Sequence, residues 1–417
     1  MHTVKERWKY YAILMFGVGA SNIGSWIYLL ALNLILFEMT GSPLSIVFLY
    51  TLIPLATLCT NSWAGTVIDR KNKRNLMIYL DLSRAIFIMM IPFLPSIWLI
   101  YFIAFIIYMA NSIFQPTSMT YITKLIPVEQ RRQFNSLFNM VTSGAFFIGP
   151  AIAGILFNIG TPIFALYTTV ITFILSALAT LFMPNLERDT LDGANHSTFS
   201  SELLKKDWKA VISFSRRNLP VIVIYLLFSG VMMVMATAVD SLEVSFSKEV
   251  LQLSDSKYGF LVSIAGAGIV VGSIINTFLT KTFSIFTLMS GGTVLVSFGY
   301  MIFAFSTTFP VAALGVFTLA FFISFANTGF LTFYQNHVPV EMMGRISSIY
   351  GLIEAILIIM ATLILGFLTQ LLSLQIVVIT GTISMMAVAL SLSIYIFSTS
   401  SQFKKTVDSA IKSEISQ

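Results

Sequence analysis

The sequence is poor in the residues that build most metal, redox and catalytic sites. It has one cysteine, Cys59, so an intramolecular disulfide is impossible, and its three histidines are too scattered to suggest a metal site. It also lacks a Gly-rich phosphate loop with its lysine and a nucleophile elbow. We therefore expect no enzyme activity, no cofactor and no metal, and any active transport would have to run on an ion gradient.

Charged residues are also scarce. They make up 10% of the 417 residues, against about 25% in soluble domains, and the chain is 57% hydrophobic with a mean hydropathy of +0.87. No water-soluble fold could cover that much apolar surface. The composition predicts a polytopic protein embedded in the lipid bilayer.

Twelve apolar stretches are each long enough to cross a bilayer, which takes about 20 residues of helix. They form two groups of six around one long polar stretch, which predicts an all-α fold of twelve transmembrane helices in two six-helix halves. The segments lie near 10–37, 44–67, 76–95, 98–123, 135–158, 162–183, 219–239, 258–280, 284–305, 309–335, 346–371 and 374–397. The corresponding domains are an N-terminal bundle (1–184), a cytoplasmic linker with an amphipathic helix (185–218), a C-terminal bundle (219–398) and a cytoplasmic tail (399–417).

Basic residues fall almost entirely on one side of this predicted topology. Of the 24 lysine and arginine residues, all except Arg84, Lys248 and Lys257 precede the first segment or lie in alternate loops, the central stretch or the tail. The positive-inside rule therefore predicts that both termini face the cytoplasm. It also explains the net charge of +6 without nucleic-acid binding. We expect a monomeric, multi-pass protein of a bacterial cell membrane.

The two halves share a short sequence element at the same helix boundary. Segment 4 runs through Asn111 into "IPVEQRRQFNSL" (126–137), and segment 10 runs through Asn327 into "VPVEMMGRISSI" (338–349). Internal repeats of this kind are typical of secondary transporters.

The loop after segment 2 reads "GTVIDRKNKR" (65–74). It resembles the loop 2–3 signature of the major facilitator superfamily, although it could also be a generic basic loop. The resemblance implies a conformational lock formed by Gly65, Asp69, Arg70 and Arg74. In such a lock Asp69 faces the N-terminus of segment 11, near 344–347, where the helix dipole would stabilise its carboxylate.

Segment 5 contains "GAFFIGPAIAG" (144–154), which resembles the Gly-Pro signature of the superfamily's antiporter branches. The residues concerned are Gly149, Pro150 and Gly154. The Gly-Pro pair is expected to kink the helix, and Gly154 to let a neighbouring helix pack closely.

Three longer runs resemble the macrolide-efflux-type branch of proton-coupled drug exporters. They are "NIGSWIYLLALNLILFEMTGSPLS" (22–45), "QPTSMTYITKLIPVEQ" (115–130) and "FSKEVLQLSDSKYGFLVSIAGAGIVVGS" (246–273). The resemblance implies the major facilitator fold and proton-coupled export of a small hydrophobic or amphipathic molecule by alternating access. The alternatives are a facilitator or importer of a small metabolite, and a membrane receptor or scaffold without coupled transport.

Charged residues inside the predicted helices need partners or a function. Asp81 and Arg84 are three positions apart in segment 3 and can neutralise one another. Because the superfamily resemblance implies that segment 3 supports the cavity from outside, we interpret them as a structural ion pair. Glu354 lies near the middle of segment 11 with no basic residue three or four positions away. It is the candidate proton-coupling residue, or else a protonated structural glutamate that bonds a neighbouring helix.

The superfamily resemblance also implies that segments 1, 4, 7 and 10 line the substrate cavity. Aromatic, methionine and amide side chains there, without a fixed charge, suit a bulky amphipathic cargo, although they could equally pack helices together. The candidate cavity residues are Asn22, Trp26, Asn33, Asn111, Gln115, Met232, Met235, Phe325 and Asn327, together with Phe37, Tyr108, Met119 and Phe330.

Overall fold

In the computed structural model, every long regular element of the described residues is a helix; these residues are 4–61, 63–64, 67–68, 71–186, 201–279 and 282–415. Twelve helices in this part of the chain are long and apolar enough to cross a membrane. This confirms the predicted all-α fold. The helices are α1 Val4–Thr40, α2 Pro43–Asn61, α3 Lys73–Met90, α4 Ile97–Leu125, α5 Val128–Ile159, α6 Pro162–Leu181, α7 Ser201–Arg217, α8 Leu219–Asp240, α9 Asp255–Leu279, α10 Ile285–Ala304, α11 Phe309–His337, α12 Val340–Leu368 and α13 Leu374–Ile415.

The repeated Pro-Val-Glu element forms the same turn in both halves of the sequence. Pro127 precedes α5 with φ −57° and ψ 149°, and Pro339 precedes α12 with φ −58° and ψ 141°. These extended values, with the proline ring fixing φ, stop the preceding helix and start the next one. The sequence repeat therefore corresponds to a repeated helix boundary.

The chain separates into two compact units, the first comprising Met1–Ser197 and Ser241–Gly266. Its centre is α1, which packs against α2, α5 and α6. Ile27, Leu34 and Leu36 of α1 are completely buried. A helix that is apolar around its circumference is typical of a position inside a bundle.

Within the first unit, α5 and the start of α9 cross at very short range. A Cβ atom built on Gly259 would lie 2.5 Å from the Cα atom of Gly154. Ser263 adds a hydrogen bond from its Oγ to the carbonyl oxygen of Phe147, at 3.0 Å. Gly154, the last residue of the Gly-Pro signature, therefore lies at a helix crossing where larger side chains would hold α5 and α9 further apart.

The second unit comprises Thr198–Asp240 and Ala267–Gln417. The amphipathic helix expected in the central stretch is α7, which packs against α12 of this unit. Val211 of α7 is buried, whereas Ile212 is exposed. The hydroxyls of Ser215 and Tyr350 are hydrogen-bonded at 2.7 Å. One face of α7 is thus fixed to the second unit by both apolar and polar contacts.

Candidate substrate cavity and coupling carboxyl

The first unit contains a cavity of about 250 Å³ among α1, α2, α3, α4 and α6. Five residues predicted from the sequence line it: Asn22 and Trp26 from α1, and Tyr108, Asn111 and Gln115 from α4. Asn22 donates a hydrogen bond through Nδ2 to the carbonyl oxygen of Val18 at 3.0 Å. The structure thus brings three amide side chains and an indole ring together in one concave space.

The other predicted cavity residues lie elsewhere. Asn33 is buried further along α1, and its Oδ1 atom has no hydrogen-bond partner among the described residues. In the second unit, Met232 and Met235 belong to a π-helical stretch of α8, a local irregularity that is frequent at functional sites. Phe325 is buried, with its ring centroid 5.4 Å from that of Phe321, and Asn327 is exposed on α11.

Arg84 lines the cavity in the first unit, which the sequence analysis did not anticipate. We expected it to lie outside the cavity because it belongs to α3. Its long side chain nevertheless extends to Asn111 on α4, where Nη1 donates to Oδ1 at 3.2 Å. The helix assignment alone was therefore misleading, since a guanidinium group lies several ångströms from its own backbone.

The negative partner of Arg84 is turned away from the cavity. Asp81 forms an ion pair with Arg84 and accepts hydrogen bonds from Ser176 Oγ at 2.7 Å and from Ser21 Oγ at 3.4 Å. Both carboxylate oxygens of Asp81 are therefore occupied, and this residue does not line the cavity. The side chain of this pair that lines the cavity is therefore the positively charged Arg84.

Two phenylalanine rings hold the Arg84 guanidinium. The rings of Phe114 and Phe173 both have their centroids 4.4 Å from the Arg84 Cζ atom. Cation–π contacts of this kind stabilise a desolvated cation by about 2 kcal/mol or more. Together with Asp81 they explain how an arginine with 1% exposure is accommodated within a transmembrane helix bundle.

Gly149 of the Gly-Pro signature determines where Trp26 lies. A Cβ atom at Gly149 would be 2.7 Å from the Cβ atom of Trp26 and 3.2 Å from the carbonyl oxygen of Ile23, so only glycine permits this approach. The ring of Phe146 on α5 then contacts the Trp26 ring edge-on, at 4.3 Å between centroids. Pro150 follows within the same helix, α5.

Gly65, Asp69 and Arg70 of the predicted lock lie outside the described residues, so only Arg74 can be placed. Its guanidinium donates to the carbonyl oxygens of Thr180 (3.2 Å) and Leu181 at the end of α6. A cation at a helix C-terminus satisfies free carbonyl groups and the helix dipole. Arg74 therefore ties the start of α3 to the end of α6.

Glu354 lies in the second unit beside a group of tyrosine rings. The hydroxyl of Tyr225 of α8 is a neighbour of the Glu354 carboxylate and can donate a hydrogen bond to it. The Tyr225 ring is 5.2 Å from that of Tyr350 and 5.8 Å from that of Tyr334, between centroids. In the part of the chain that the structure describes, no lysine, arginine or histidine forms an ion pair with Glu354.

Tyr28 and Phe173 also line the cavity, although neither was predicted from the sequence. Tyr28 is two positions from Trp26 on α1, and its ring meets that of Tyr108 edge-on at 6.3 Å between centroids. Nothing in the hydropathy pattern distinguishes these aromatic residues from those that only pack helices together.

Comparison with known proteins assigns the family. Residues 14–362 match the sequence model of the Major Facilitator Superfamily. The chain belongs to the major facilitator superfamily. It is 25% identical over 342 residues to YfiS of Bacillus subtilis (strain 168), described as an uncharacterized MFS-type transporter, with 80% of each chain covered. The protein is therefore a multi-pass membrane transporter.

Solved structures agree with this fold. The nucleoside transporter NupG aligns with a TM-score of 0.71 at 14% identity, covering 93% of this chain and 98% of its own. A bacterial homologue of the iron transporter ferroportin, in an inward-facing state, aligns with a TM-score of 0.68 at 14% identity, covering 94% and 100%. At such low identities these neighbours show a common fold but do not identify the substrate.

Proposed function

We propose that this superfamily member is a proton-coupled exporter of hydrophobic or amphipathic compounds, acting as a monomer in a bacterial cell membrane with both termini in the cytoplasm. The observation that supports the cargo class is the cavity of the first unit. Trp26, Tyr28 and Phe173 supply apolar surface there, and amides supply a few polar contacts. Small-molecule sites usually combine a mainly apolar lining with a few placed polar groups.

Glu354 is the residue that we propose for proton coupling. Its carboxyl has a hydrogen-bond donor in Tyr225 and no ion-pair partner among the described residues. The charge of such a group is sensitive to small changes of its surroundings, because desolvation favours the neutral form and a donor favours the ionised form. An alternating-access cycle supplies changes of that kind. The second unit would then carry the proton while the first unit binds the cargo.

A second candidate function is facilitated transport or import of a small polar metabolite. Arg84 favours it, because this guanidinium reaches the cavity that the sequence predicted to be free of fixed charge. A receptor or scaffold without coupled transport is the third possibility.

Proteoliposomes loaded with a pH-sensitive dye distinguish the three functions. Erythromycin and 2-naphthoate serve as probes, one for the macrolide class and one for small amphipathic acids. A proton-coupled exporter is expected to move protons when a probe is added across an imposed pH gradient, and to accumulate the labelled probe. A facilitator would equilibrate the probe without proton flux. Absence of both probe movement and proton flux, with folded protein in the vesicles, would contradict the transport proposal.

The lock implied by the superfamily resemblance leads to a prediction for Asp69. We expect Asp69→Asn to lower export about fivefold with near-normal membrane abundance, because a helix-dipole interaction of about 1 kcal/mol is enough to bias two states of similar energy. Export rates normalised to protein in isolated membranes provide the measurement. An asparagine variant that exports at the wild-type rate would mean that the loop is only a generic basic loop.

A further inference from the structure

Three buried polar atoms around the cavity of the first unit have no hydrogen-bond partner within the described part of the chain: the hydroxyls of Tyr28 and Tyr108, and Nε of Arg84. All three residues line the cavity. Buried polar groups in folded proteins are nearly always paired, because leaving one unpaired costs the desolvation of that group. Three unpaired atoms around one cavity therefore call for an explanation in terms of a ligand.

The groups of this cavity that can still bind a ligand are identified by asking which hydrogen-bond acceptors already have a partner in the protein. Asn111 accepts from Arg84 through its Oδ1 atom, which leaves its Nδ2 group as a donor. Asp81 accepts from Arg84, Ser176 and Ser21, so its carboxylate is fully engaged. The unpaired groups there are the two tyrosine hydroxyls and the Nε–H group of Arg84, beside the amides of Asn22 and Gln115. Arg84 is the charged residue that lines the cavity, and its counter-charge, Asp81, does not line it.

We propose that this cavity binds an oxygen acceptor of the cargo, a carbonyl or carboxylate group, with Tyr28 and Tyr108 as its donors. The apolar part of the cargo then lies against the ring of Trp26. The proposal rests on the transport function proposed above and narrows its substrate class. It favours a carboxylate over an ammonium group on the same ring system, because the charged side chain that lines the cavity is the Arg84 guanidinium and no carboxylate of the described residues lines it.

The two tyrosines are suited to this task because their rings are fixed. Both hydroxyls are buried, and the edge-on contact of the two rings joins α1 to α4. Rigid donors that are already desolvated lose little entropy when they bind, and they gain the full strength of a hydrogen bond in a low-dielectric site. With about 250 Å³ available, the cavity can take a two-ring aromatic acid or the corresponding part of a larger cargo.

The test uses the full-length protein in detergent and two probes with the same ring system, 2-naphthoate and 2-naphthylmethylammonium, measured by equilibrium dialysis. We expect the wild type to bind 2-naphthoate at least tenfold more tightly than the ammonium compound. Tyr28→Phe and Tyr108→Phe should each weaken 2-naphthoate binding by about tenfold, as expected for a lost hydrogen bond to a charged group.

Thermal unfolding of the same variants separates binding from packing. Because the two hydroxyls are unpaired, the Phe variants should unfold at or above the wild-type temperature. Tyr101→Phe is the matched control: its hydroxyl donates to the carbonyl oxygen of Ser45 at 2.8 Å, outside the cavity. That variant should unfold at a lower temperature and bind 2-naphthoate as the wild type does.

Three outcomes would overturn the proposal: equal binding of both probes, wild-type affinity for 2-naphthoate in the Phe variants, or destabilised Phe variants that bind normally. The last result would mean that bound water, and not cargo, pairs the hydroxyls. None of them bears on proton-coupled export, which the vesicle assay measures separately. Conversely, normal 2-naphthoate binding without proton flux would contradict the export proposal alone.

Discussion

Glu354→Gln is expected to abolish concentrative export while leaving cargo binding within about twofold of the wild type. The amide keeps the size of the side chain and can still accept a hydrogen bond from Tyr225, but it cannot release a proton. If Glu354 carries the coupled proton, the variant cannot complete the cycle, and export against a gradient should fall by about two orders of magnitude or more. The accumulation of labelled 2-naphthoate in energised inside-out vesicles measures this loss of export.

A matched control is Glu249→Gln, which removes one carboxylate from an exposed side chain outside the spanning helices. This variant should export normally, so a general effect of charge loss can be recognised. A permanently protonated structural glutamate would be mimicked well by glutamine. Concentrative export by Glu354→Gln at the wild-type rate would therefore remove this residue from the mechanism and leave proton coupling dependent on family resemblance alone.

Tyr225 provides a second way to examine the same site. Replacing it with phenylalanine removes a donor to the carboxylate and leaves the contacts among Tyr225, Tyr334 and Tyr350 largely in place. If Tyr225 acts on the coupling carboxyl, the variant should export more slowly per folded molecule. A purely structural Tyr225 would change the amount of folded protein without changing export per folded molecule.

The sequence was sufficient to predict the helices because bilayer thickness and hydropathy leave few alternatives. The bounds of the sixth span, for example, were predicted near 162–183 and are Pro162–Leu181 in the structure. The superfamily resemblance also led to Asn22, Trp26, Asn111 and Gln115, and these four residues line one cavity in the structure.

The donor set of the cavity could not be predicted in the same way. Whether the hydroxyls of Tyr28 and Tyr108 are paired depends on which carbonyl and side-chain oxygens approach them from other helices. Nothing local in the sequence encodes that. Arg84 was misplaced for a related reason, since its side chain is long enough to contact Asn111 on a neighbouring helix as well as Asp81 on its own helix.

Asp81→Asn is expected to cause the largest loss of stability in the first unit, about 3–5 kcal/mol. The substitution leaves the Arg84 guanidinium buried without its counter-charge, and the Phe114 and Phe173 rings compensate only part of the desolvation. The midpoint and cooperativity of unfolding in detergent measure the effect. Asp255→Asn is the matched control, because its ion pair with Lys248 is partly exposed and should contribute only about 1 kcal/mol.

The double variant Asp81→Asn/Arg84→Gln separates structure from binding. Removing both charges also removes the desolvation penalty, so we expect stability to return to within about 1–2 kcal/mol of the wild type. The cavity, however, then has no positive charge, and 2-naphthoate should bind about tenfold more weakly even though the protein is folded. A purely structural pair predicts restored stability together with unchanged 2-naphthoate affinity. The two readouts of this one variant therefore decide whether Arg84 contributes to the cavity or only to the bundle that surrounds it.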